Sequence, residues 1–278
     1  MAPEQPRIVR VFSNNAVLVR DDEGVERVLV GRGIGFGRRT GERIAGDRAQ
    51  RTYVPIQPEK APLMAVIDDL DATMVRQVGA AVDLASDLLG ELHPSVYLIL
   101  TEHLSFAIGR VRQGKHMYST ILAEVAGAFP EEFRAAQIIV HYLNSTLPSS
   151  DLPEEEAAAV ALHLNAARSG VTVKTPLAQA NQLAAWTDTV LERLGGGASA
   201  GEADEELVAA LARAYRRLRE GRARETELAP LIAHHLPEEY HLAVGLLADM
   251  GAKAPGEAAL LAVLLHGWRL ERKENRHG

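Results

Sequence analysis

Between Gly31 and Gly41 the chain reads Gly-Arg-Gly-Ile-Gly-Phe-Gly-Arg-Arg-Thr-Gly, a flexible backbone that carries one aromatic, Phe36, among Arg32, Arg38 and Arg39. That combination suits RNA, whose unstacked bases are received on an aromatic or guanidinium plane while further arginines hold phosphates. The competing reading is a glycine hairpin with Phe36 tucked into a core. A nucleotide-phosphate loop is excluded. No Gly-Lys-Ser/Thr is present, the Gly-x-Gly-x-x-Gly spacing is not met from any of these glycines, and the segment follows a hairpin instead of opening a helix.

Histidines are the other residues able to do chemistry. The 278 residues contain no cysteine, which removes disulfides, thiolate nucleophiles and Cys-ligated zinc. A Pro-Glu-Glu-aromatic signature occurs at Pro130 to Phe133 and again at Pro237 to Tyr240, 107 residues later. Each copy is followed by a helical stretch, a Pro-containing turn, and a second helix with a His nine residues after a Glu: Glu154 and His163, then Glu257 and His266. His234 to His241 packs three His and two Glu into eight residues, but Pro237 should separate two helices there, so the run reads as a solvated turn and not a metal site. Acidic runs such as Glu154 to Glu156 sit at helix N-termini, where dipole compensation accounts for them. No nucleophile–base pair, metal-ligand spacing or nucleotide fingerprint survives, so the chain reads as a binding protein and not an enzyme, with no cofactor.

These residues need elements to hold them. Arg7 to Phe12 alternates apolar and polar positions, Ser13-Asn14-Asn15 supplies a turn, Ala16 to Arg20 and Glu26 to Val30 read as strands, and Arg48 to Val54 as a fourth. A four-stranded antiparallel sheet of this size exposes one face, and dimerisation through it is the simplest remedy. Pro55 to Pro62 is a linker by composition, and beyond it the chain is Ala- and Leu-rich with helical apolar spacing. The expected architecture is α+β and multidomain: a small β domain at residues 1–55, a linker at 56–62, and two homologous helical bundles at 63–173 and 174–278.

Charge divides the same way. Residues 1–55 hold ten Arg, no Lys and seven acidic residues, a net +3, while the remainder is net −10. A polyanion is the natural partner of the first part, although a solvated charged surface on a small β domain gives the same balance. No apolar run suggests membrane insertion and the N-terminus lacks a signal-peptide core, so a cytoplasmic location is expected.

Val11-Phe12-Ser13-Asn14-Asn15-Ala16, then Glu26 to Gly31, then Gly-Arg-Gly-Ile-Gly-Phe-Gly, followed by two helical repeats with His at corresponding places, resembles the BglG/SacY-type transcriptional antiterminators along the entire chain. The resemblance implies that residues 1–55 form a co-antiterminator RNA-binding domain, a symmetric dimer of four-stranded sheets that grips an imperfect hairpin in the nascent leader transcript. The two repeats resemble PTS regulation domains, whose histidines are phosphorylated by the sugar phosphotransferase system. The implied partners are the RNA hairpin, a PTS sugar permease, the phosphocarrier protein and a second copy of the chain.

Carried over by position, Asn14, Asn15, Gly31, Arg32, Phe36 and Arg38 fall in the RNA-contacting turns, with Ser13 where an Asn is usual. Leu100 to Arg110 resembles the segment of the first phosphorylatable His, His103. Ala161 to Ala167 resembles that of the second, His163, and Leu264 to Arg269 that of the closing His, His266. Matching Gly109-Arg110 to Gly221-Arg222 sets Tyr215 opposite His103, leaving the second repeat one His short. A neutral imidazole nitrogen can accept and release a phosphoryl group, which brings charge and strong acceptor oxygens. Arg110, on the same face of a helix expected from Ser95 to Arg112, is placed to pair with such a group. The alternative is a phosphorylation-responsive regulator that acts by DNA or protein binding, although helix-turn-helix readers need a basic recognition helix and the basic part here is β.

Overall fold

The structure is a computed structural model in which residues 5–45, 49–53, 70–115, 121–148, 150–194 and 202–274 are described. It opens with β1 (Arg7–Val11), β2 (Ala16–Arg20), β3 (Glu26–Val30) and β4 (Arg51–Tyr53). These form one antiparallel sheet in the order β1-β2-β3-β4. The expected fourth strand began at Arg48 and ended at Val54; both of those residues lie outside the described ones.

Alternation along β2 sends Val17 and Val19 to one face, where they join Ile8, Leu29, Ile34 and Ile44 in a core. The other face was expected to be open. It is closed instead: Phe12, Ala16, Leu18 and Val28 are all fully buried. The physical reason lies in the helices of the same compact unit. The Phe12 ring stands 6.0 Å from the Tyr97 ring, and the Phe12 carbonyl approaches Gly79 so closely that a Cβ on that residue would come within 1.9 Å of its oxygen.

Among the described residues ten helices follow: α1 (Ala72–Leu89), α2 (Val96–Arg112), α3 (Leu122–Ala128), α4 (Pro130–Thr146), α5 (Glu156–Ser169), α6 (Lys174–Arg193), α7 (Glu202–Arg219), α8 (Ala229–His235), α9 (Pro237–Ala248) and α10 (Pro255–Glu274). The Asp71 carboxylate caps α1 by accepting from the backbone N–H groups of Thr73 and Met74, and those two bonds pull its pKa below the usual carboxylate value. Pro130 and Pro237 open their helices at the first turn, where a missing N–H costs nothing.

The chain divides into two compact units. The first comprises Met1–Thr120 and Glu131–Pro176, so it holds the sheet together with most of the first helical repeat. The second comprises Ile121–Pro130 and Leu177–Gly278. Helix α3, which belongs to the first repeat by sequence, therefore packs in the second unit against α7. Gly127 makes this contact possible, since a Cβ there would lie 2.4 Å from that of Ala212. Among the described residues no helix is long and apolar enough to cross a membrane.

Candidate functional site

The Asn turn and the glycine loop are built as one piece. The Asn15 carbonyl accepts from Gly31 N–H, the Asn14 carbonyl from Gly35 N–H, and the Asn15 side-chain oxygen from Gly33 N–H at 2.9 Å. Gly35 passes so near the turn that a Cβ would fall 2.2 Å from the Ser13 carbonyl oxygen. Ile34 is thereby directed into the core, and Phe36, two residues on, is directed outward and is 73% exposed. The tucked-in alternative for Phe36 is thus not what this loop adopts. Asn14 and Arg32 are exposed beside it, Gly31 is buried at the loop's root, and Arg38 is half-buried with its guanidinium 3.4 Å from the Glu42 carboxylate. A large exposed ring flanked by cations presents a stacking surface and phosphate contacts together.

Sequence reasoning missed what lies behind the turn. Asp83 of α1 accepts from the Ser13 hydroxyl at 3.0 Å, from the Asn15 side-chain amide at 3.0 Å and from the Tyr97 hydroxyl at 2.6 Å. Burial raises the pKa of Asp83 above the usual carboxylate value, against the three donors that lower it. The same burial, with the Asp83 charge adding to it, raises that of Tyr97 strongly. Asp83 lies 70 residues from Ser13, and no local pattern links them.

The first unit also brings together His103 of α2 and His163 of α5, with ring centroids 5.2 Å apart. His103 Nε2 is 3.2 Å from the Glu156 carboxylate without hydrogen-bond alignment, and Arg110 donates to the other oxygen of Glu156 at 2.7 Å. Glu156 is thus more than a dipole-compensating residue. It is buried, and although desolvation pushes its pKa up, His103 and Arg110 hold it below the usual carboxylate value. Arg110 shares Glu156 with His103 and is not a free guanidinium awaiting a phosphoryl group. Burial, then the neighbouring His103, lowers the pKa of His163 to about 4, so this ring is neutral at physiological pH. His163 also borders a cavity of about 450 Å³ that includes Tyr53, His93, Ile99 and Thr172.

The second unit repeats the scaffold without the pair. Glu257 is fully buried and takes the place of Glu156. Its partners are Arg217 and Arg224, whose backbone N–H also donates to it at 2.9 Å. Desolvation raises the pKa of Glu257, and these partners outweigh it to bring the value down. The helix ends set the register: Lys115 N–H bonds the Arg110 carbonyl and Arg222 N–H the Arg217 carbonyl, with Gly114 and Gly221 at φ 71° and 66°. Arg110 therefore corresponds to Arg217, and the residue equivalent to His103 is Ala210, not Tyr215. Tyr215 is buried, stacked edge-on to Trp186 and donating to the Gln182 side chain at 3.0 Å. On α10 the register from Glu257 makes Leu264 the counterpart of His163, and His266 that of Asn165. Asn165 and Arg168 bond Glu132, just as His266 and Arg269 bond Glu239. His266 Nδ1 is held by Glu239 at 3.1 Å, and its side chain is 40% exposed. Among the described residues no group of three or more His, Asp or Glu is placed to hold a metal.

Known families match the first part of the chain. Residues 7–61 match the family profile of the CAT RNA binding domain, and residues 82–167 that of the PRD domain. The chain is 32% identical over 160 residues to the Beta-glucoside operon antiterminator of Dickeya chrysanthemi, covering 57% of this chain and 56% of that protein. It is 28% identical over 161 residues to Transcription antiterminator LicT of Bacillus subtilis (strain 168), covering 57% of each. With the GlcA/glcB genes antiterminator of Staphylococcus carnosus (strain TM300) it shares 22% identity over 170 residues, 60% of this chain and 59% of that one. The chain thus spans little more than half the length of the curated relatives it matches. A solved structure described as the crystal structure of GlcT CAT-PRDI aligns with 26% identity and a TM-score of 0.44, covering 59% of this chain and 99% of that one. Residues 7–61 thus match a CAT RNA-binding domain and residues 82–167 a PRD domain, and over this part the chain is similar to proteins named as antiterminators of the BglG/SacY type.

Proposed function

We propose that the chain is an RNA-binding transcriptional antiterminator. As a cytoplasmic homodimer it stabilises a hairpin in the nascent leader transcript of a sugar-utilisation operon and so prevents premature termination. Asn14, Asn15, Gly31, Arg32, Phe36 and Arg38 form the RNA-contacting surface. The phosphotransferase system controls it through histidine phosphorylation, with a sugar permease acting on His103 and His163. His266 is a more isolated acceptor for the phosphocarrier protein: Glu239 orients its Nδ1, which leaves the other nitrogen for transfer.

The observation that carries this reading is that one compact unit combines an exposed Phe36 on an Asn-braced loop with a facing His103–His163 pair. A stacking ring among arginines fits single-stranded or bulged RNA, and a neutral buried imidazole beside a second one fits reversible phosphoryl transfer. The test is a mobility-shift titration of the full chain with a bulged RNA hairpin and with duplex DNA of the same sequence. Tight binding of the RNA alone is expected; equal affinity for the two would overturn the reading.

A further inference from the structure

We infer that Asp83 is a built-in competitor of RNA: its carboxylate occupies the donors of the Asn turn, and the turn must leave α1 before RNA can bind. This rests on the proposed RNA-contacting role of Asn15. The Asn15 side chain is committed at both ends, its oxygen to Gly33 N–H and its amide nitrogen to Asp83. Ser13 is committed likewise, with its hydroxyl donating to Asp83 and accepting from Asn15 N–H. A nucleic acid brings acceptors of the same kind, phosphate and base oxygens. A carboxylate 3.0 Å from the Asn15 amide therefore takes the bond that RNA would take, and it also sets a negative charge where a polyanion must approach.

The contact is more than a single bond. Gly79, one helical turn before Asp83, admits the Phe12 backbone; Tyr97 of α2 donates to Asp83; and Arg10 donates to the Leu70 carbonyl at 2.8 Å. Leaving α1 would bare Phe12, whose backbone meets Gly79 and which is fully buried on the same face of the sheet as Ala16, Leu18 and Val28. Exposing this side chain is unfavourable unless a second copy covers it, so release of the turn and dimerisation through the sheet favour each other. Tyr97 and His103 lie on the same helix, six residues or about 9 Å apart along its axis. The helix that latches Asp83 is thus the one that carries the proposed phosphoryl acceptor.

The test compares the full chain with Asp83→Ala and Tyr97→Phe for affinity to a bulged RNA hairpin. Asp83→Ala is expected to bind about tenfold tighter or more, and Tyr97→Phe, which removes the hydroxyl that donates to Asp83 and keeps the ring against Phe12, tighter by a smaller factor. Hydrogen exchange on the wild-type chain supplies an independent reading, because RNA should deprotect the α1 amides around Gly79 to Asp83. Equal or weaker RNA binding by Asp83→Ala, or an α1 that stays protected in the RNA complex, would overturn the inference while leaving RNA binding itself standing. If no variant binds any hairpin, the RNA reading fails and the inference falls with it.

Discussion

His103 and His163 face each other across α2 and α5 at 5.2 Å between ring centroids, inclined at 51°. They are not equivalent. Burial, with His103 beside it, lowers the pKa of His163 to about 4, well below the ordinary 6.5. Because the folded state resists protonation there, the unfolded chain binds the extra proton between these two values. The stability this group contributes is complete above pH 6.5 and is lost as the pH falls from 6.5 to about 4, reaching roughly 3 kcal/mol at the acid end. Denaturant midpoints measured against pH should show this acid limb, and His163→Gln should flatten it.

The two buried glutamates predict different sensitivities. Removing Arg110 leaves Glu156 with only the imidazole of His103, whereas removing Arg217 leaves Glu257 with Arg224 and its backbone N–H. Stripping a buried carboxylate of its guanidinium costs about 3 kcal/mol, less where other donors remain. Arg110→Ala should therefore lower the thermal midpoint more than Arg217→Ala, as read by calorimetry.

Gly35→Ala should damage the RNA surface without touching it directly. Its methyl group would meet the Ser13 carbonyl oxygen at 2.2 Å, so the loop and the Asn turn must part. RNA affinity is expected to fall at least tenfold, with a stability loss of about 1–3 kcal/mol. Thermal melts beside mobility shifts check both.

Phosphorylation should be concentrated in the first unit. Intact-mass analysis after incubation with phosphorylated permease domain should show acid-labile adducts that disappear in a His103→Ala, His163→Ala double variant, while His266→Ala retains them. The second unit lacks the pair because Ala210 and Leu264 stand in its places.

Much of the fold was legible because it is local. Strands β2 and β3 follow from alternation between turn residues, and α2 begins one residue after the expected Ser95 and ends at Arg112. The repeat register was harder. Matching Gly109-Arg110 to Gly221-Arg222 pairs a mid-helix glycine with a helix-terminating one. The glycine that follows the last basic turn of α2 is Gly114, and pairing it with Gly221 yields the observed register. The closure of the sheet's second face and the contact of Asp83 with Asn15 were not legible, because amphipathic patterns state that a face is covered and not by what.

On the proposed function, this chain permits transcription past a terminator by holding leader RNA through Phe36. The direct measurement is terminator readthrough in a purified transcription reaction on a template with the cognate leader, with and without the full chain. Raised readthrough is expected with the wild-type chain. A return to the protein-free level is expected with Phe36→Ala, which removes a stacking contact worth about 1–3 kcal/mol while leaving the fold intact, since the ring is 73% exposed. Readthrough that is the same with and without the wild-type chain, or that persists undiminished with Phe36→Ala, would contradict it.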